Sequence, residues 1–442
     1  MPSTAALDFH AALDAGRWTG SQKRLLALLS LAFLTDGIAN QSLGLAIPAL
    51  MHDWRLPREA FAPVAALGLV GLTFGAVIGG TLGDRLGRRT MMIASTGLFG
   101  LMTLAQAWVS NPQELLGLRF LDGIGIGAMI PNGAALIAEL TPRRERAVAI
   151  AIGMSCVAVG AMLGGLLGNL VLAPFGWQGL FLTIGGIGML VALLLLALQP
   201  ESPLYLLHSG GSQQRLRAIA ARCGLTLKPG TIAAEPGIPG SRRLLAALFA
   251  PGLASTTIFL WIAFFFCLLA NYAMFNWVPA MLAGLGFKLS LTSLGMAALS
   301  AGGIVGGVLC GLLIKRFGSR GSVLTLAGGG VIAALALGMM IRTEVQGLGV
   351  ILAMLATIGF FSAGLLNGLY TYSTLIYPDH ARGSGVGAAA AAGRLGAIAS
   401  SYAGVIALGI DGASSYFILI AGSLALSFAA VALMRRQVPK AG

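Results

Sequence analysis

Charged residues are scarce in this sequence, because Asp, Glu, Lys and Arg together make up 10% of its 442 residues. Soluble domains carry roughly 25% charged residues, so this composition excludes an ordinary soluble protein. Hydrophobic residues account for 57% of the chain. Apolar runs of about 20 residues, long enough to cross a bilayer as a helix, recur along it. The sequence therefore predicts an all-α membrane protein embedded in a lipid bilayer.

Cysteine is scarce too, and its placement excludes two kinds of site. Of the four cysteines, Cys156, Cys267 and Cys310 fall inside apolar runs and Cys223 falls in a polar segment. Their spacing matches neither a disulfide framework nor a metal site. No nucleotide-binding loop, metal cluster or catalytic triad can be assigned to the polar segments, so we expect neither an enzyme nor a bound cofactor. A membrane sensor without transport is a distant alternative, since a sensor would need a larger cytoplasmic domain.

The apolar runs predict twelve transmembrane helices, and the basic residues between them indicate an orientation. The predicted spans lie near 25–51, 61–83, 91–110, 113–140, 147–174, 177–199, 253–284, 290–316, 321–342, 346–377, 383–409 and 412–436. Most of the 28 Lys and Arg residues fall on the side that holds both termini and the long middle segment. By the positive-inside rule that side is cytoplasmic, so the net charge of +13 reflects orientation rather than nucleic-acid binding. Residues 1–24 show no cleavage-site pattern, so we expect no removable signal peptide and a multi-pass protein of the bacterial inner (cytoplasmic) membrane.

The two halves of the chain repeat each other. The stretch IPAL at Ile47–Leu50 recurs as VPAM at Val278–Met281, and GTLGDRLGRR at Gly80–Arg89 recurs at the same offset as GLLIKRFGSR at Gly311–Arg320. Paired six-helix halves are a transporter architecture, in which the substrate site lies between them near the middle of the membrane. We therefore predict two pseudo-symmetric six-helix bundles (25–199 and 248–436), a cytoplasmic linker (200–247) and cytoplasmic tails (1–24 and 437–442).

Asp36 is one of four charged residues that lie well inside predicted spans. A charge there costs about 2.5–3.5 kcal/mol, which makes each of the four a functional candidate. Asp36 is interpreted as a proton-binding or substrate-gating carboxylate, because a buried carboxylate takes up a proton more readily than an exposed one. The alternative is a structural hydrogen-bond cluster with Asn40 and Gln41.

The other three intramembrane charges are Arg119, Asp122 and Arg394. Arg119 and Asp122 are three residues apart and share one helix face, so they form either a static ion pair or a pair that opens when a proton binds. Arg394 has no acid nearby in sequence. It either binds a substrate carboxylate or pairs with an acid on another helix, for example Asp36.

Two further spans carry amides and aromatic rings at helical spacing, in LLANYAMFNWVP and LLNGLYTYSTLIYP. Aromatic rings beside a few amides suit a planar ring that bears polar groups. Trp277 also has a plain alternative, as an interfacial aromatic residue near the outer end of its helix. The candidate substrate-binding residues are Asn40, Arg119, Asn271, Tyr272, Asn276, Trp277, Asn367, Tyr370 and Arg394.

The stretch GTLGDRLGRR resembles the cytoplasmic loop motif of the major facilitator superfamily, and RFLDGIGIGAMIPN resembles the fourth-helix motif of the same superfamily. The loop-motif residues, which by this resemblance form a cytoplasmic gate, are Gly80, Asp84, Arg85, Gly87, Arg88 and Arg89.

Within the superfamily, nearly the whole chain resembles the aromatic acid:proton symporter family. This resemblance is carried by RFLDGIGIGAMIPN, PFGWQGLF, QPESP, LFAPGLASTTIFLWIAFFFCLLANYAMFNWVPAML and YPDHARGSGVGAAAAAGRLGA. It implies uptake of a benzoate, hydroxybenzoate or phenylpropanoate by alternating access, driven by the proton gradient without a cofactor. It also implies that Asp36 serves proton coupling and that Arg394 binds the carboxylate. The architecture needs no partner chain to form its cavity, so we expect a monomer.

Three positions depart from the family. Ala39 stands where the first helix usually has a second acid, and Asp122 stands where the fourth helix commonly has threonine. We hypothesise that Asp122 takes over part of the missing acid's role in proton coupling. Lys315 replaces the acid in the second copy of the loop motif, which predicts a weaker gate there. The nearest alternative function is a proton-coupled exporter, although Ala161 replaces the proline that the antiporter motif has in the fifth helix, which favours uptake.

Overall fold

The computed structural model describes residues 13–14, 16, 18–208, 249, 253–343, 347–377 and 382–434, and this part of the chain is helical. Most of the predicted N-terminal tail, the predicted linker from residue 209 onward and the predicted C-terminal tail lie outside the described residues. The helices are α1 (Gly20–Trp54), α2 (Ala62–Leu86), α3 (Arg88–Ala105), α4 (Pro112–Leu140), α5 (Arg143–Leu198), α6 (Pro203–His208), α7 (Ala254–Gly284), α8 (Leu289–Phe317), α9 (Ser319–Arg342), α10 (Leu348–Ile376) and α11 (Arg382–Leu433). Short 3₁₀ helices cover Arg58–Phe61 and Gln106–Trp108. All of the α-helices except α6 are long and apolar enough to cross a membrane, which makes ten.

Helices α1 and α4 begin at side-chain caps that the local sequence encodes. Thr19 and Gln22 form a reciprocal capping box at the start of α1, which satisfies backbone N–H groups that a helix leaves free at its first turn. Asn111 accepts from the backbone N–H of Glu114 (2.9 Å) at the start of α4, and Pro112 follows it at a position where no N–H is needed. These caps fix where the two helices that carry most of the candidate charges begin.

Helices α5 and α11 are far longer than one membrane crossing requires. They have 56 and 52 residues, whereas about 20 residues span a bilayer. Each is interrupted by residues with non-helical dihedral angles, at Gly176 in α5 and at Asp411 and Gly412 in α11. Ala149 and Leu195 from opposite ends of α5 belong to one core cluster, which shows that α5 folds back on itself at the interruption.

The same reversal occurs in α11. Gly396, before the interruption, lies against the carbonyl oxygen of Phe265 on α7. Ser427, after it, donates to the carbonyl oxygen of Ala263 on the same helix (3.1 Å). The described residues therefore contain ten helices of membrane-spanning length where the sequence predicted twelve spans, and the difference lies in these two helices, each of which covers two predicted spans.

The helix pairings of the two halves correspond. In the first half α1 packs on α5, α2 packs on α4, and α3 packs on both α4 and α5. In the second half α7 packs on α11, α8 packs on α10, and α9 packs on both α10 and α11. The halves meet where α5 packs on α8, α2 on α11 and α1 on α7, so a central region is enclosed by helices from both halves.

Glycine permits the tightest of these contacts at corresponding positions. A Cβ atom on Gly160 of α5 would overlap with the carbonyl oxygen of Leu34 on α1, and one on Gly396 of α11 would overlap with that of Phe265 on α7. Backbones can approach this closely only where a side chain is missing. The internal repeat seen in the sequence is thus also a repeat of packing geometry.

Close contacts join the two halves toward one end of the molecule. We call the end with Arg85, Arg88 and Arg89 the basic end, and the opposite end, where α1 ends and α2 begins, the far end. On the side of the molecule toward the far end, Gln41 Nε2 on α1 of the first half donates to Ser300 Oγ on α8 of the second half (2.7 Å). Closer to the far end, a Cβ on Gly165 of α5 would clash with the α8 backbone. A cavity of about 300 Å³, partly lined by Thr81, Asp84 and Asn132, lies at the basic end.

Candidate functional site

Asp36 is buried on α1, with 1% of its surface exposed. The next residue, Gly37, lies directly against the α5 backbone at Val157, and this contact fixes the rotation of α1 so that Asp36 lies on a different face. Among the described residues, Asp36 Oδ1 has no hydrogen-bond partner. Gln41 bonds to Ser300 instead, so the described hydrogen bonds do not join Asp36 and Gln41 in the cluster considered from the sequence.

Arg394 on α11 faces Asp36 across the boundary between the halves. Its positive charge acts on Asp36, on Tyr272 of α7 and on Tyr370 of α10. Its Nη1 is buried and has no hydrogen-bond partner within the described ranges, and no ion pair joins it to Asp36 there. The Arg394 guanidinium is therefore close enough for its charge to act on the Asp36 carboxylate. Its Nη1 can still donate a hydrogen bond to another group. An arginine in this state is suited to bind a carboxylate.

Asn40 and Tyr272 lie beside this pair of charges. Asn40 is one turn after Asp36 on α1, and its side chain shares a hydrogen bond with the Tyr272 hydroxyl. This bond joins the first half to the second half. Tyr370 is partly exposed, and its ring contacts the edge of Phe264 with centroids 5.0 Å apart. The structure therefore brings together Asp36, Asn40, Tyr272, Tyr370 and Arg394 from four helices.

Arg119 and Asp122 form a buried ion pair in which both carboxylate oxygens of Asp122 have hydrogen-bond partners. Arg119 Nη1 donates to Asp122 Oδ2 at 2.6 Å, and the two side chains are 8% and 1% exposed. Asp122 also accepts from Thr103 Oγ1 (3.1 Å) and from Gln106 Nε2 (3.4 Å). Both of its oxygens thus have partners, two of which come from α3 and the 3₁₀ helix that follows it. This geometry favours a static pair that fastens α4 to its neighbours.

A cavity toward the far end adjoins this pair. Its volume is about 40 Å³, which is room for a few water molecules but less than the roughly 150 Å³ of a cavity known to bind benzene. The polar part of its wall consists of Asn40, Arg119, Asp122, Tyr272 and Asn276. Asn276 is 7% exposed, and its Nδ2 has no hydrogen-bond partner in the described part of the chain.

Five predicted binding residues do not line this cavity. Two of them, Tyr370 and Arg394, lie in the group around Asp36 described above, and the other three have different surroundings. Asn271 donates to the carbonyl oxygen of Cys267, one turn earlier on α7 (2.9 Å). Trp277 is fully buried and packs over Gly404 of α11, which does not fit an interfacial aromatic residue. Asn367 is exposed, and its amide lies over Gly307 of α8.

The predicted gate residues form a network at the basic end. Arg88 pairs with Asp84 (3.2 Å) and with Glu139 at the end of α4, and Glu139 also accepts from the Ser202 hydroxyl. Gly87 has a φ of 97°, which glycine adopts without strain, and allows the sharp turn between α2 and α3. Gly80 and Asp84 line the 300 Å³ cavity, and Arg85 is exposed.

Arg89 ties this turn to the end of α5. Its backbone N–H donates to Glu201 Oε1 (3.0 Å), and its Nη2 donates to the carbonyl oxygen of Leu196 (2.8 Å). Glu139, Glu201 and Ser202 belong to this network but were not predicted from the sequence. The available signals were an acid at the end of an apolar run for Glu139 and the QPESP stretch for the other two.

The second half repeats only part of this network. Arg320 Nη2 donates to the carbonyl oxygen of Ala432 (2.5 Å), which corresponds to the bond from Arg89 to Leu196. Ser319 stands where the first half has Arg88, and it is buried. The two carboxylates that pair with Arg88 in the first half are also missing from the second half. Lys315 and Leu375 occupy the positions that correspond to Asp84 and Glu139.

Known proteins are similar to this chain in sequence and in fold. The family model described as Major Facilitator Superfamily matches residues 29–401. The 4-hydroxybenzoate transporter PcaK of Pseudomonas aeruginosa is 30% identical over 93% of this chain and 91% of its own length. The 3-(3-hydroxy-phenyl)propionate transporter of Escherichia coli (strain K12) is 31% identical over 91% of this chain and 94% of its own. Among solved structures, the partially occluded inward-open xylose transporter XylE from E. coli superposes with a TM-score of 0.74 at 18% identity, over 95% of this chain and 99% of that one.

Proposed function

Because this chain belongs to the major facilitator superfamily, we propose that it takes up an aromatic carboxylate together with protons across the bacterial inner membrane. The family and the similar curated proteins are transporters and not enzymes. The substrate class is inferred from relatives that transport 4-hydroxybenzoate and 3-(3-hydroxyphenyl)propionate. No cofactor is required in this proposal, since the proton gradient supplies the energy.

The arrangement of Asp36 and Arg394 is the observation that carries the proposal. One buried carboxylate and one partly buried guanidinium, from different halves, act on each other while each keeps an atom without a hydrogen-bond partner within the described ranges. A charge left like this in a membrane protein is costly and marks a transport pathway by default. A proton on Asp36 and a carboxylate on Arg394 would satisfy both groups.

The proposed topology has twelve crossings with both termini in the cytoplasm. Each of the two long helices, α5 and α11, crosses twice and turns at its non-helical residues, which adds two crossings to the ten elements. The basic end then faces the cytoplasm by the positive-inside rule. A single chain encloses the central region with helices from both halves, which supports a monomer as the working unit.

The proposed cycle couples the proton to the substrate through charge balance. A proton from the outside neutralises Asp36, so Arg394 loses its nearby negative charge and attracts the incoming carboxylate. When both ligands are bound the central charge is balanced, and this lowers the cost of moving the halves past each other. The network of Arg88, Asp84 and Glu139 would control opening at the basic end.

Uptake into proteoliposomes tests this proposal. We expect labelled benzoate or a hydroxybenzoate to accumulate when an inward proton gradient is imposed and to equilibrate when a protonophore removes it. Arg394→Gln in the same liposomes is expected to lose uptake of every aromatic acid, because the only change is removal of the charge that binds the carboxylate. A protein that moves none of these acids inward, but exports them against a proton influx, would instead be an exporter.

A further inference from the structure

The side-chain amide of Asn276 is buried in the wall of the 40 Å³ cavity beside Arg119 and Asp122. Its side chain is 7% exposed and lines the cavity, and its Nδ2 has no hydrogen-bond partner among the described residues. A buried donor left unsatisfied costs about 1–3 kcal/mol. A ligand that placed a hydrogen-bond acceptor opposite this nitrogen would recover that cost.

The position of Asn276 relative to Arg394 follows from the contacts between α1 and α7. Tyr272 bonds to Asn40, and the charge of Arg394 acts on Tyr272. One turn further along both helices, Asn276 lies against Gly44. Four residues of helix rise by about 6 Å, so Asn276 lies about that distance beyond the level of Tyr272, on the side of the far end. The α11 backbone next to Arg394 packs on α7 on the other side of Tyr272, so a ring held at Arg394 would extend past Tyr272 toward Asn276.

The wall near Asn276 is suited to hold such a ring. Leu43, Leu69, Leu72 and Ile126 supply its apolar part, and apolar side chains with a few placed polar groups are what small-molecule sites use. Arg394 and Asn276 both belong to the second half, on α11 and α7, which pack on each other. Their separation is therefore kept when the halves move apart to make room for the ring.

We propose that Asn276 is a specificity-determining residue, whose amide nitrogen donates to an acceptor on the ring at the end away from the carboxylate. The inference rests on the proposed function, because it needs an aromatic carboxylate held at Arg394. The acceptor is either the oxygen of a ring hydroxyl or the nitrogen of a pyridine ring. The chain should accordingly favour acids that carry such an acceptor over unsubstituted benzoate.

The experiment compares uptake of benzoate, 4-hydroxybenzoate and isonicotinate (pyridine-4-carboxylate) by the full chain in proteoliposomes. Asn276→Leu replaces the amide by an apolar group of similar size, and Asn276→Ala is measured in parallel because it cannot overfill the cavity. The matched control is Asn271→Leu, since Asn271 lies one turn away on α7 but bonds to its own helix and does not line the cavity.

We expect both Asn276 variants to lower the preference for 4-hydroxybenzoate over benzoate by about five- to tenfold, the effect of one hydrogen bond, while benzoate uptake persists and shows that they fold. Loss of preference for isonicotinate instead would identify a ring nitrogen as the acceptor. Asn271→Leu should leave the preferences unchanged. Equal transport of all three acids by wild type, or an unchanged preference in both Asn276 variants, would overturn this inference alone. Failure of wild type to transport any of the acids would overturn the proposed function as well.

Discussion

Asp36 and Asp122 are both buried acids, but they differ in the number of their hydrogen-bond partners. Asp122 has three hydrogen-bond donors around its two oxygens, whereas Asp36 Oδ1 has none among the described residues. Protonation of Asp122 would leave Arg119 buried without a counter-charge. The hypothesis that Asp122 takes over part of the missing acid's role in proton coupling stays a prediction.

The two acids are separated by replacing each with asparagine. Asp36→Asn should exchange internal for external substrate at a normal rate but fail to accumulate it in a proton gradient, because the proton-binding group is gone. Asp122→Asn should keep gradient-driven accumulation and lose about 3–5 kcal/mol of unfolding free energy, the cost of breaking a buried pair. Counterflow, accumulation and thermal stability are measured on both variants. If Asp122→Asn lost coupling while Asp36→Asn kept it, the proton site would move to the fourth helix.

Helix pairs are held by glycines at corresponding positions in the two halves, and this is where packing is least tolerant. Gly396 of α11 leaves no room for a Cβ beside the carbonyl oxygen of Phe265, whereas nothing lies within 4 Å of a Cβ on Gly387 of the same helix. We expect Gly396→Ala to destabilise the purified protein by about 1–3 kcal/mol, since α7 and α11 must move apart. Thermal unfolding in detergent measures the effect.

Gly387→Ala provides the control for this prediction. It introduces the same methyl group into the same helix at an open position, where alanine also has the better helix propensity. Its stability should equal or slightly exceed that of wild type. Equal losses in both variants would mean that the effect arises from helix geometry in general and not from the close approach of α7 and α11.

Most of the helices could be predicted from the sequence, because a bilayer imposes a length and a composition on every crossing. The repeat of GTLGDRLGRR also indicated two related halves. The interruptions at Gly176 and Asp411 fall close to the predicted span boundaries. The hydrophobic pattern of the sequence does not show which residues on other helices become hydrogen-bond partners. Thr103 and Gln106 beside Asp122, and Ser202 beside Glu139, depend on how the helices are placed in three dimensions.

The candidate site was predictable to a similar degree. Asp36, Arg119, Asp122 and Arg394 stand out in sequence because a charge in an apolar run has to be explained. Their pairing was open, and the structure places Arg119 with Asp122 while leaving Arg394 near Asp36. The amides of α7 were equivalent by spacing alone, and only the fold distinguishes Asn276 in the cavity wall from Asn271, which bonds to its own helix.

The molecule as a whole is held together toward the far end, which is outside in the proposed orientation. Alternating access requires these contacts to break once per cycle, so a covalent bond across them should stop transport. Gly168 of α5 and Ser293 of α8 are suitable positions, because a Cβ on Gly168 would lie 3.3 Å from the Cβ of Ser293. Disulfides need a Cβ separation of about 3.5–4.5 Å, which small backbone adjustments reach.

We therefore expect the double variant Gly168→Cys and Ser293→Cys to lose uptake after oxidation and to recover it after reduction. The two single variants, oxidised in the same way, should transport normally, which excludes an effect of the four native cysteines or of the added thiols themselves. Cross-linking is followed by the mobility of the protein after cleavage within the segment between residues 208 and 253. Full uptake by a completely cross-linked double variant would show that the halves do not separate at this end, and would remove the alternating-access cycle proposed for this chain.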